Sequence, residues 1–214
     1  MSREVVAAAK RLAERNELAG ASMAAIAREA GITRVTLYRR GETRTAIVAA
    51  LRDELARQER ELMLPLLTAS GDALARLRGV LEALCALTDG RADLLTGLDA
   101  GTLNEIYHED GGDSLTRSEF AAPLVRLLRD GAIDGSLRQV SDPDETATVL
   151  YTQVSYTYLH LRVEHRWSRP RAKAAVIDLT LNGLVSDAQE MSSKKPPAHR
   201  AKAKRATRRP DDHC

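Results

Sequence analysis

Between Thr33 and Arg44 the chain carries hydroxyls on Thr33, Thr36 and Tyr38, and guanidiniums on Arg34, Arg39, Arg40 and Arg44. These are the groups that meet phosphate oxygens and base edges of a DNA duplex. Leu37 alone among them has a clear inward character, so the polar groups would share the outer face of one short helix.

A helix of that kind needs a scaffold, and the residues before it supply one. Met23 to Ala30 places Ile26 and Ala30 on one face, and Ser22 stands where an N-cap hydroxyl would take a free backbone N–H. Gly31 then stops the helix, because a left-handed residue closes a helix most cheaply without a Cβ. Thr33 can cap the second helix, with Ile32 before it and Leu37 within it spaced as a hydrophobic staple. Upstream, Val5, Val6, Ala9, Leu12 and Ala13 form one face of a first helix that would cover the pair.

At these residues the chain resembles the N-terminal domain of the tetracycline-repressor (TetR) family of bacterial transcription regulators. The Thr36-Leu37-Tyr38 run and the basic Arg44 match the family's recognition-helix signature. Gly41 departs from it, standing where the family usually has an aromatic, and reads as a C-cap that lets the chain turn. The resemblance spans residues 3–55. It implies Arg34, Val35 and Arg40 at or near base edges, Ser22, Thr33, Thr36, Tyr38 and Arg44 on phosphates, and Arg39 in either role. Replacing Arg44 should then weaken binding to all DNA sequences alike.

The rest of the chain is expected to be all-α. Its aromatic share is 3%, which suits helix-on-helix packing of Leu, Ala, Val and Ile, and no run alternates at period two. Thr43 can cap a long helix with Ile47, Val48, Leu51, Leu55 and Leu62 along its inner stripe, bending or ending near Pro65. Asp72 to Leu87 reads as a further helix, 107–114 as a loop, Thr116 to Asp130 as a helix interrupted or kinked at Pro123, and Gly131 to Asp142 as a loop. Asp142, Pro143 and Glu145 occupy N-cap, N1 and N3 of a helix running to about His165, with Leu150, Val154, Tyr158 and Leu161 in one stripe. Arg171 to Gln189 completes the series, with Ile177, Leu181, Leu184 and Ala188 aligned.

The expected organisation is a helix-turn-helix DNA-binding domain over 1–50, a helical ligand-binding and dimerisation domain over 51–191, and a basic tail over 192–214. Charge divides along the same lines: 9 basic against 5 acidic residues in the first segment, 15 against 23 in the second and 8 against 2 in the third, for a net +2 overall. A basic head and tail flanking an acidic body suit a chain whose head meets nucleic acid and whose body does not. The tail, with three prolines and almost no large apolar side chain, cannot build a core and can add sequence-independent affinity for phosphates.

By the family resemblance, the last two helices pair with their copies in a dimer, and a two-fold dimer reads a palindromic operator. The resemblance also implies a small-molecule effector whose binding releases the operator, for which the aromatics of the body and their polar neighbours are the candidates: Tyr107, Phe120, Tyr151, Tyr156, Tyr158, His160 and Trp167. The sign of regulation, repressor or activator, is open, with a repressor favoured. The alternative is a DNA-coating protein with little sequence preference and no ligand response.

No phosphate loop, nucleophile elbow, zinc helix or paired-cysteine motif occurs, so neither an enzyme nor a cofactor is expected. His108, Glu109, Asp110 and Asp113 could be taken for a metal site but read as an exposed loop. His160 and Glu164, one turn apart, read as a salt-linked pair. Cys85 lies in an apolar segment and reads as a small core residue. The absence of a signal-like apolar run, and of about 18 consecutive apolar residues, predicts a cytoplasmic protein with no membrane partner.

Overall fold

Capping side chains set most of the helix starts in the computed structural model, which describes residues 1–108 and 116–185. α1 (Arg3–Glu14) is followed by α2 (Met23–Glu29), where the Ser22 hydroxyl accepts from the Ala25 N–H, and α3 (Arg34–Arg39), where Thr33 accepts from the Thr36 N–H. Thr43 accepts from Ala46 at the start of α4 (Arg44–Leu67), and Asp72 from Ala75 at the start of α5 (Ala73–Gly90). Each such bond satisfies an amide that the helix itself leaves free. Gly31 and Gly41 adopt φ of 72° and 67°, the left-handed geometry that ends α2 and α3.

The sequence between α5 and residue 108 carries two helices that its pattern did not announce, α6 (Ala92–Thr96) and α7 (Ala100–Tyr107). Both are too short to show a clear stripe. α8 (Ser118–Asp134) continues through Pro123 and Gly131, ending at Gly135 with φ 77°. The expected loop from Gly131 therefore begins four residues late: Gly131 lies inside the helix because Leu137 folds back onto it, and a Cβ there would overlap that side chain. α9 (Pro143–Val163) starts as expected, with the Asp142 carboxylate accepting from the Asp144 and Glu145 N–H groups.

α10 (Arg169–Asn182) starts two residues before the expected Arg171 and is shorter than expected. Leu184 is buried in the turn after it, where the Leu184 carbonyl accepts from the Arg138 N–H, rather than on a helical stripe. Ala188, Gln189 and the tail lie outside the described residues, as do Glu109, Asp110 and Asp113. Among the described residues no group of acids, histidines and cysteines is arranged to hold a metal ion, no strand forms, and no helix is long and apolar enough to cross a membrane.

One apolar core runs from Val5 in α1 to Leu184, through α4, α5, α8 and α9. Along α4 the buried positions are Ile47, Val48, Leu51, Leu55, Ala56, Glu59, Met63 and Leu67, while Leu62, expected on the stripe, is exposed. The buried side steps by four residues from Leu55 onward and so drifts around the helix. α4 packs on α1, α5, α7 and α8. Cys85 is buried in this core, which pushes its thiol up to about 12 and leaves it unreactive.

Candidate nucleic-acid interface and effector pocket

α3 turns Leu37 fully inward and presents Arg34, Val35, Tyr38 and Arg39 on the opposite face. Val35 is 74% exposed and Tyr38 53%, values no packing argument explains in so short a helix. Arg34 is pre-positioned by Tyr38: its Nη2 donates to the phenol oxygen at 3.2 Å and its guanidinium stands 5.1 Å from the ring centroid. Arg39 is exposed and, among the described residues, makes no hydrogen bond or ion pair within the chain. Thr33 and Thr36 share a 2.9 Å hydroxyl–hydroxyl bond at the start of the helix, and Ser22 caps α2.

Two of the expected contact residues are turned to other tasks. Arg40 donates from Nη1 to the Glu4 carboxylate of α1 at 2.7 Å, which holds that carboxyl below its usual range. Arg44 donates to the carbonyls of Leu18, Ala19 and Ala21, fastening the α1–α2 connection to the start of α4. No local pattern announces this, because the acceptors are backbone atoms 23 to 26 residues away. Glu42, which the sequence reading overlooked, is buried and accepts from the Ser2 N–H, closing the other side of the head. Arg11 and Arg15 both grip Glu29, locking α1 against α2. The helix-turn-helix is therefore held rigidly from behind while its outer face is left free.

The body contains a cavity of about 550 Å³ between the end of α5, α6–α7 and the second half of α9. Its walls are mainly leucines, among them Leu84, Leu87, Leu95, Leu98, Leu103 and Leu159. Of the candidate residues, Tyr107, Tyr151, Tyr156 and His160 line it. Phe120 does not: it is buried behind the wall, 4.9 Å from the Tyr107 ring and 5.9 Å from that of Tyr151. Tyr158 is buried two turns further along α9, outside the cavity lining, and donates to Asp89 at 2.5 Å. Trp167 lies beyond α9 with the Arg171 guanidinium 3.8 Å over its ring. Tyr151 and Tyr158, seven residues apart, share nearly one face of α9, so position along the helix and not helical phase gives them different neighbours. His160 faces the His165 ring at 5.1 Å, not a salt-linked Glu164.

Arg91 is a cavity residue that no sequence pattern singles out. It lines the cavity and is nine-tenths buried, and its Nη1 pairs with Glu59 at 3.0 Å. Its Nη2 donates to the Leu55 carbonyl and to Gln58, so a single side chain ties the cavity wall to the middle of α4. Burial pushes the Glu59 carboxyl up while Arg91 pulls it down, and burial raises the phenols of Tyr107 and Tyr151, which stay neutral donors. A second contact joins the cavity to the head. Gly97, between lining residues Thr96 and Leu98, packs so closely on the Ala13 carbonyl of α1 that a Cβ there would overlap it.

Residues 5–51, which hold the capped α2–α3 pair, match the family described as bacterial regulatory proteins, tetR family. No curated protein sequence matches the chain. Among solved structures, the transcriptional regulator FadR from Bacillus subtilis, in complex with stearoyl-CoA, is 18% identical with a TM-score of 0.67, over 84% of this chain and 97% of that one. SmeT, the repressor of the Stenotrophomonas maltophilia multidrug efflux pump SmeDEF, is 20% identical with a TM-score of 0.63, over 86% and 90% of the two chains. A gamma-butyrolactone receptor, an ArpA-like protein, is 20% identical with a TM-score of 0.61, over 87% and 88%. Residues 5–51 thus match the tetR family of bacterial regulatory proteins, and the chain as a whole shares the all-helical fold of these structures.

Proposed function

We propose that the protein is a dimeric repressor that binds a palindromic operator through α3 and is released from it by a small molecule in the 550 Å³ cavity. The observation that carries the reading is the outer face of α3, where Arg34, Val35, Tyr38 and Arg39 stand exposed on a helix whose every inward and flanking group is engaged. Arg34 and Val35 would read base edges. Tyr38, Thr33, Thr36 and Ser22 would meet phosphates, with Arg39 serving either surface. Arg40 and Arg44 would serve the interface by holding the head's shape.

Apolar exposure on the last two helices supports a dimer. Val149, Tyr156 and Val163 recur every seven residues along α9, and Leu179 on α10 is 71% exposed. Covering that stripe with its copy would pair two heads, and two-fold heads read half-sites about one DNA turn apart. Coupling would run through the two contacts already described, Arg91 on α4 and Gly97 against α1. An effector that prefers a different spacing of α6–α7 and α9 shifts the population away from the head spacing that fits the operator.

The test is selection of bound sequences from random duplex DNA by the purified protein at physiological salt, with its mass measured by light scattering. A recovered palindrome bound by two chains is expected. Recovery of no motif refutes the reading and favours a DNA-coating role.

A further inference from the structure

We propose that the effector is an uncharged molecule, largely apolar, with at least one hydrogen-bonding oxygen. The inference rests on reading the cavity as the effector site. Among the described lining residues only Arg91 and Glu164 carry a permanent charge, and no lysine is present. The Arg91 guanidinium is already answered by Glu59 at 3.0 Å, and Glu59 is 1% exposed. Glu164 is exposed at the end of α9.

An anionic ligand would have to draw Arg91 away from Glu59, leaving a carboxylate buried without its partner. A cationic ligand would find no unpaired carboxylate inside to receive it. Phosphate-bearing ligands would need several basic side chains, and the lining offers one arginine that is already engaged.

The unmet polar groups point to what does fit. Arg91 Nε, His108 Nδ1 and Ser155 Oγ are buried without a hydrogen-bond partner, and all three residues line the cavity. These atoms sit just behind the cavity surface, and a ligand oxygen that draws one of them into the cavity would satisfy a group that otherwise weighs against the folded state. The leucine walls would take the remainder of the molecule.

The test compares three probes built on a ten-carbon chain, bound to the full-length protein and followed by titration calorimetry: methyl decanoate, decanoate and decyltrimethylammonium. Amide hydrogen exchange on the same samples locates the bound probe. Methyl decanoate is expected to bind about tenfold or more tighter than either ion and to protect 100–107 and 151–163. Equal or tighter binding of decanoate or of the ammonium in those segments overturns the uncharged class and leaves the effector site standing. Protection by the ester elsewhere overturns the proposal, and no binding by any probe removes the effector-site reading with it.

Discussion

Removing one partner of the Arg91–Glu59 pair should be among the most damaging single changes in the body. The two side chains are 9% and 1% exposed, and Arg91 has further acceptors in the Leu55 carbonyl at 3.0 Å and Gln58 at 3.2 Å. Glu59→Ala leaves a guanidinium buried without its counter-charge, a loss of roughly 3–5 kcal/mol. For a chain of this size each kcal/mol moves the midpoint by about 2–4 °C, so a fall of roughly 6–20 °C is expected. Glu59→Met with Arg91→Met removes both charges and keeps apolar volume. It should recover most of that loss, short of about 1 kcal/mol for the unmet Leu55 carbonyl.

The assay is urea and thermal unfolding of the parent, Glu59→Ala, Glu59→Met, Arg91→Met and the double Met variant at one protein concentration, since self-association would shift the midpoint. Additive losses would show that the two residues do not act as a pair. A single variant within about 1 kcal/mol of the parent would show that water reaches the site and that the clamp on α4 is weak. Either result would sink the claim that Arg91 couples the cavity to the head.

Arg34→Ala should weaken binding to the selected operator by roughly 1–3 kcal/mol and relax its sequence preference, and an equal loss on random DNA in a gel-shift titration would remove Arg34 from base reading. Gly97→Ala should destabilise the chain by about 1–3 kcal/mol in urea unfolding and also weaken DNA binding, because its Cβ has no room beside the Ala13 carbonyl. Asp99→Ala should cost about 1 kcal/mol at neutral pH, since Asp99 caps α7. Bonds from the Thr102 N–H and hydroxyl hold its carboxyl below 3.8, so the difference from the parent is present above that pH and closes as pH falls through the depressed value. Deleting 192–214 removes eight basic residues and should flatten the salt dependence of DNA binding without changing the preferred operator, as fluorescence anisotropy across a salt series would read.

Local rules carried much of the chain. Ser22, Thr33, Thr43, Asp72 and Asp142 each cap the helix their position announced, and Gly31 and Gly41 take the left-handed geometry that a helix end requires. Those features depend on neighbours within a few residues, so the sequence displays them directly. Where a helix end depended on a distant contact, sequence reading misplaced it. α8 runs past Gly131, where Leu137 packs in the space a side chain would fill, and Leu62 faces outward while the buried positions of α4 step by four through Glu59, Met63 and Leu67.

By itself the sequence determined the all-helical class, the helix-turn-helix and which residue types crowd its reading helix, because caps, turns and periodicity act over one or two turns of chain. Tertiary structure alone decided which arginines stay free. Arg34 and Arg39 face outward, whereas Arg40 and Arg44 meet acceptors on α1 and the α1–α2 connection. It alone also separated the cavity-lining tyrosines from Phe120, Tyr158 and Trp167, and joined Arg91 to Glu59 across 32 residues. A side chain's task is set by what stands within about 3–4 Å of it, and that is fixed only when separate helices are brought together.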